Sequence, residues 1–395
     1  MPPIVVEWLQ VFLRWAHVVA AIMWIGDSFL FMWMDASLSR PAPGRAGTVT
    51  GELWMTHSGG FYEVLKHKSL AALPDRLFWF MWQSYATWIS GVLLLIVVFG
   101  LGSQAQLVNA GAPLAHGPAF WISLALLPVA VGVYELLMRT PVARSAIALG
   151  AVATVAVAAL AWGLPHLYTP RASFLLVGAM LGTIMTANVF LVIIPGQGRM
   201  MAATRAGTEV DTTHGVRAKQ RSIHNHYLTF PVLFTMLAGH FPSFFGHPQA
   251  WAVLTLLFIA GAGLKAMMNF RTRTSRWVVA GTLASLAVAA VMTAPPGESA
   301  PVRALAAHAP VAVEEARAIV QMRCVTCHAA RPSNQAFPAP PNGVMLETPE
   351  QMTAWSERII TRVVETQTMP LGNLTGMTDD ERTRLGAWAY QQRKR

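Results

Sequence analysis

Eight apolar runs dominate this chain, near residues 7–34, 78–100, 119–138, 145–163, 172–194, 222–241, 250–268 and 276–294. About 20 helical residues cross the ~30 Å hydrocarbon core of a bilayer, and each run is near or beyond that length. Composition agrees: 54% of residues are hydrophobic and 12% charged, with a mean hydropathy of +0.44. That leaves too little polar surface for a water-soluble domain of this length. The expectation is an all-α fold: a polytopic membrane helical bundle of about eight transmembrane helices, occupying 1–294. The first run has no basic leader region and no small-residue cleavage site, so it is expected to stay as a helix.

Lys and Arg collect in cytoplasmic loops of membrane proteins. The segments 35–77, 139–144, 195–221 and 265–276 carry sixteen of them, whereas 101–118, 164–171 and 240–250 carry only Arg171. The net charge of +10 is thus sorted by membrane side and shows no basic cluster interleaved with aromatics, which argues against nucleic acid as a partner. An even number of spans puts both termini on the arginine-poor side.

The only two cysteines lie in Cys324-Val325-Thr326-Cys327-His328. C-x-x-C-H is the attachment pattern of c-type haem: Cys324 and Cys327 supply thioethers and His328 the proximal iron ligand. No cysteine is left for a structural disulfide. Met369, held off helix by Pro370, is the expected second ligand, while Met345, Met352 and Met377 read as loop or packing residues. Such haem is attached outside the bacterial cytoplasm, so residues beyond about 300 should be periplasmic. This agrees with the charge argument and places the chain, multi-pass, in a bacterial inner membrane with both termini periplasmic. Residues 295–311 read as a Pro/Ala-rich linker and 312–395 as a small class I-like cytochrome c domain. Its expected helices are Val313–Arg323, Pro349–Thr366 and one opened by a capping box at Thr378-Asp379-Asp380-Glu381. The last should pack Leu385 and Trp388 against the first. A small domain of this kind needs a covalent group to complete its core.

Ionisable groups inside spans are costly and default to functional candidates. Asp27, Asp35, Glu135, Asn188, His224 and His226 fall at one depth and point to a polar cavity open to the cytoplasm. The competing reading, helix ends in contact with headgroups, suits Asp35 and His224 better than the deeper Asp27, Glu135 and His226. His17 lies about ten residues into the first run, or ~15 Å deep. It either hydrogen-bonds a neighbouring helix or ligates a second, non-covalent haem b, with His226 or His240 opposite.

The stretches Arg14–Gly26, Trp54–Tyr62, Thr87–Gly91, His224–Val232 and Met369–Asn373 together resemble the bacterial membrane-bound urate hydroxylases, in which a urate-oxidising membrane domain is fused to a cytochrome c. The resemblance implies an oxidoreductase of purine catabolism that converts urate to 5-hydroxyisourate with oxygen from water. Electrons would pass to the fused haem rather than to O2, and onward to a soluble or membrane acceptor. A planar dione needs hydrogen-bond donors and a base for a ring N–H. His57 or Lys66, beside Gly59-Gly60 where backbone amides can approach a ligand, could be that base, or Lys66 could balance the urate anion. Against this stands an amphipathic interfacial helix with Lys66 and Lys68 at lipid phosphates. The alternative for the whole chain is a quinol-oxidising or other respiratory electron-transfer membrane cytochrome. A copper-handling transporter fits less well, because the spans lack cysteine.

Overall fold

The computed structural model describes residues 2–45, 49–67, 73–109, 111–270, 273–294 and 299–393. Its long helices follow the apolar runs. They are α1 (Pro3–Ser37), α2 (Trp82–Leu95), α3 (His116–Leu137), α4 (Ala146–Gly163) and α5 (Pro170–Ala187), then α6 (Ile194–Ala206), α7 (Thr213–Leu237), α9 (Ala250–Phe270) and α10 (Arg276–Thr293), with a short α8 (Pro242–Phe245) between α7 and α9. A π-helical turn, Ile96–Leu101, extends α2, and another, Asn188–Ile193, joins α5 to α6 into one rod. Among the described residues, seven helices are long and apolar enough to cross a membrane. The eighth expected span falls in α7, which is helical but too polar in its first half to qualify. It packs between α5 and α9, burying Arg221, Asn225 and Thr229, and joins the end that holds His226 to the end that holds Ala238.

Small residues let these helices approach closely, as usual where lipid supplies no hydrophobic contrast. A Cβ on Gly178 of α5 would stand 2.0 Å from Thr235 Oγ1 of α7, and one on Gly263 of α9 at the same distance from Thr282 Oγ1 of α10. The bundle's main core, with Phe99, Leu107, Tyr168, Phe174 and Leu254, gathers at the arginine-poor end.

The chain is predominantly helical, as expected, with one two-stranded exception among the described residues. Residues 49–67 build an antiparallel hairpin, β1 (Val49–His57) and β2 (Gly60–His67), rather than an interfacial helix. Ser58 and Gly59 both have positive φ, the geometry of a two-residue turn that matches strand twist. Lys68 lies outside the described residues.

The C-terminal unit starts earlier than the expected linker allows. Residues 295–298 lie outside the described residues, but α11 (Ala300–Ala306) buries Val302 and Leu305 in the same core as Ile319, Met352, Leu385 and Trp388. These apolar side chains at i and i+3 make it a packed helix and not a tether. Then come α12 (Val313–Arg323), α13 (Pro349–Ala354), α14 (Ser356–Ile359) and α15 (Asp379–Arg393). The expected middle helix over 349–366 is interrupted at Trp355, whose φ and ψ of −106° and 10° leave the helix, and ends in a π turn, Ile360–Glu365. At Thr378 the capping box is present: the Glu381 amide donates to Thr378 Oγ1 at 3.2 Å and the Thr378 amide to Glu381 Oε2 at 2.8 Å.

This unit sits on the arginine-poor end of the bundle. A Cβ on Gly372 would stand 3.1 Å from the Ala105 carbonyl oxygen, and one on Gly246 would stand 3.0 Å from Thr366 Cβ.

Candidate functional sites at the two ends of the bundle

At the arginine-rich end, a cavity of about 710 Å³ opens between α1, the segment 77–80, the α5–α6 rod and α7. Asp27, Asp35, Ser222, Asn225, His226 and Gln197 give it polar atoms, and Trp24, Phe31, Trp79 and Phe80 give it flat apolar walls. The π turn that begins at Asn188 lies against it through Val189 and Ile193; such turns often mark functional places in helices.

A hydrogen-bonded network stands behind the cavity. Arg221 donates to both oxygens of Glu135, at 2.7 and 2.8 Å, and to Asn188 Oδ1 at 3.1 Å. Asn188 Nδ2 donates to Asn225 Oδ1 at 2.8 Å, and Asn225 Nδ2 to the Met185 carbonyl at 2.9 Å. Tyr134 OH lies 2.7 Å from His224 Nδ1. The chain of contacts fixes the orientation of Asn225, whose neighbour His226 faces the cavity. Lys265, fully buried, holds its Nζ 3.5 Å from the centre of the Phe29 ring with no hydrogen-bond partner.

The expected site residues therefore separate. Asp27 and His226 meet in the cavity. Lys66 reaches its rim indirectly, donating to Asp35 Oδ1 at 2.6 Å. Glu135 is committed to Arg221 and does not line the cavity. His57 stands exposed at the hairpin tip, paired across the turn with Gly60, because the turn points it away from the bundle. Arg221 counts in the sequence as one more loop charge, although its i, i+4 spacing with Asn225 and Thr229 marks a single polar helix face.

His17 Nδ1 lies 2.9 Å from the Thr87 carbonyl and 3.1 Å from Ser90 Oγ. A carbonyl only accepts, so Nδ1 carries the proton and Nε2 keeps its lone pair. The neighbouring-helix reading is satisfied, and the same hydrogen bond is the one that orients metal-bound imidazoles. His226 lines the cavity together with Asp27, and ten residues of α1, a rise of ~15 Å, separate Asp27 from His17.

At the opposite end, one cavity is lined by Cys324, Cys327, His328 and Met369 together, with Trp355, Leu346 and Phe337 among its apolar walls. The cysteines are unpaired. Burial pushes the Cys324 thiol up to about 12, the reverse of the lowered pKa of a redox-active dithiol. His328 Nδ1 lies 3.0 Å from the Val344 carbonyl, which leaves Nε2 as the nitrogen free to take a metal. Burial lowers its pKa against the raising effect of that bond, a shift towards the neutral form that a ligand needs.

Met369 is held on both sides of its peptide unit. The π turn releases the Arg362 carbonyl, which accepts from the Met369 amide at 3.0 Å, and Arg382 donates to the Met369 carbonyl at 2.6 Å. Met352 and Met377 are buried in the core, and Met345 does not line the cavity. The residues present fit a haem bound through two thioethers and a His/Met pair. Among the described residues, no group of three or more His, Cys, Asp or Glu side chains forms a separate metal site.

A sequence model of the family described as urate oxidase N-terminal matches residues 3–294. No curated protein and no solved structure matches the chain.

Proposed function

The chain belongs to the urate oxidase N-terminal family, and from that premise we propose that it oxidises urate in the cavity beside Asp27 and His226 and delivers the electrons to a haem c on Cys324 and Cys327. The observation that carries this reading is one chain with a polar, aromatic-walled cavity at one end of an apolar bundle and a C-x-x-C-H/Met pocket seated on the other. Urate and water give 5-hydroxyisourate, two protons and two electrons. Trp24, Phe31, Trp79 and Phe80 offer faces on which a flat purine can stack. Asn225, Ser222 and Gln197 offer donors and acceptors for its carbonyl and N–H groups. Asp27 and His226 are the groups able to take the two protons, and Lys66, paired with Asp35, places a cation at the rim for an anionic substrate. When bound, the haem accepts one electron at a time, and a His/Met pair favours a high potential for that role.

From Arg171, beside the haem pocket, seventeen residues of α5 lead to Asn188, beside the cavity, a rise of ~25 Å. A haem b ligated by Nε2 of His17 would divide that span.

The test is direct. Urate added to purified membranes should reduce the covalent haem, and a quinol should not. Asp27→Asn and His226→Ala should each slow the reduction about 100-fold or more with haem retained, whereas His57→Ala should stay within about twofold. Reduction by quinol alone would give the chain to the respiratory reading.

A further inference from the structure

Arginines from both halves of the chain converge where the C-terminal unit meets the bundle. Arg171, at the start of α5, lines the C-x-x-C-H cavity alongside Arg358 and Arg362 of the C-terminal unit. It lies within the field of both Arg362 and Arg14 of α1. Its Nε is buried with no hydrogen-bond partner, and among the described residues no carboxylate pairs with Arg14, Arg171 or Arg362. Arg14 donates only to Gln10, on its own helix. Arg171 is also the only basic residue in the three arginine-poor loops.

Arg171 and Arg362 carry like charges at a half-buried boundary, where they repel and lose hydration, so an anion between them would stabilise both. The anion must be reached from both domains at once. A haem anchored at Cys324 and Cys327 carries two carboxylates on the edge opposite its thioethers, and planar guanidinium groups bind carboxylates with two parallel hydrogen bonds.

We propose that Arg171 of the membrane domain and Arg362 of the C-terminal unit close together on the haem propionates, so that the membrane domain completes the haem site and the cofactor fastens the two domains. The inference rests on the reading that Cys324 and Cys327 hold a haem. Oxidised haem carries one more positive charge than reduced haem, so a guanidinium beside it favours the reduced form. Arg171 would then raise the potential of an acceptor whose donor lies in the same chain.

The experiment uses the full-length protein in lipid nanodiscs. Covalent haem is scored first by a haem stain on denaturing gels, then potentials are measured by equilibrium titration. Arg171→Gln should weaken reduction about three- to tenfold, tenfold being 59 mV for one electron. Arg171→Lys should recover most of this, and Arg331→Gln, at an exposed site away from the cavity, should change nothing. Added salt should leave the difference intact, because buried charges are poorly screened. Arg362→Gln should give a similar fall and keeps the test decisive if Arg171→Gln is not recovered from membranes. Attached haem with unchanged potentials in both glutamine variants overturns the proposal. Unchanged potentials with loss of co-purifying anionic phospholipid would assign the arginines to lipid headgroups. Absence of covalent haem in the unaltered protein would overturn this proposal together with the reading beneath it.

Discussion

Arg221 shows what a single residue does in this bundle. It sits in the polar first half of α7, yet it is buried, and it donates to Glu135 and Asn188. Removing one partner of such a pair costs far more than the pair contributes, because the other charge stays behind unpaired. Arg221→Ala is expected to cost about 3 kcal/mol, read as a fall in Tm in detergent, and Glu135→Gln, which keeps an acceptor, should cost less. Equal Tm values for Arg221→Ala and the unaltered protein would remove the network from any structural role. At this scale the sequence is uneven. Spacing and a following proline single out Cys324, Cys327, His328 and Met369 locally, and the structure brings the four to one cavity. The cost of charge in a span singles out Asp27 and His226, which share the other cavity. His57 and Glu135 join neither, since exposure at a turn and pairing across helices are tertiary facts that no local pattern carries.

Among the elements, α15 has a start that can be tested by pH. Burial would raise the Glu381 carboxyl, but the Thr378 amide and the Arg323 guanidinium win and hold it below its ordinary 4.5. A depressed carboxylate contributes stability above its unfolded value and loses it as pH falls through the folded one. The C-terminal unit should therefore weaken below about pH 4.5. Glu381→Gln should remove that component and cost about 1 kcal/mol at pH 7, both read from denaturant midpoints across pH. An acid limb of the same steepness in the variant would sink the assignment. The capping signature and the helix Val313–Arg323 follow from local chemistry and could be read directly. The hairpin has a local signal too, in the β-branched and aromatic residues on either side of Ser58-Gly59, but the same stretch also fits a ligand loop or an interfacial helix. The break at Trp355 and the π turn after Ile359 had no such signal: they answer to what packs above them, the Met369 peptide and Arg382.

For the whole molecule, the charge pattern and the docked C-terminal unit select the same end of the bundle. The unit rests on Ala105 and Gly246, both in arginine-poor loops, and the charge bias makes a periplasmic side for those loops the expectation to test. Alkaline phosphatase fused after Gly102 should be active and after Gly207 inactive; the reverse would invert the chain in the membrane. The rod formed by α5, its π turn and α6 joins the two ends and was legible only as one apolar run.

The seating of Gly372 on Ala105 has a consequence for traffic through the molecule. The Leu371–Asn373 turn beside Met369 lies against Ala105, so the bundle covers that wall of the cavity. Asn342, on another wall of the same cavity, is left open to solvent. With a haem in place the chain would have an inlet facing its own membrane half and a separate outlet at Asn342. A visitor collecting electrons there could come and go without displacing the donor, so loading and unloading need not take turns.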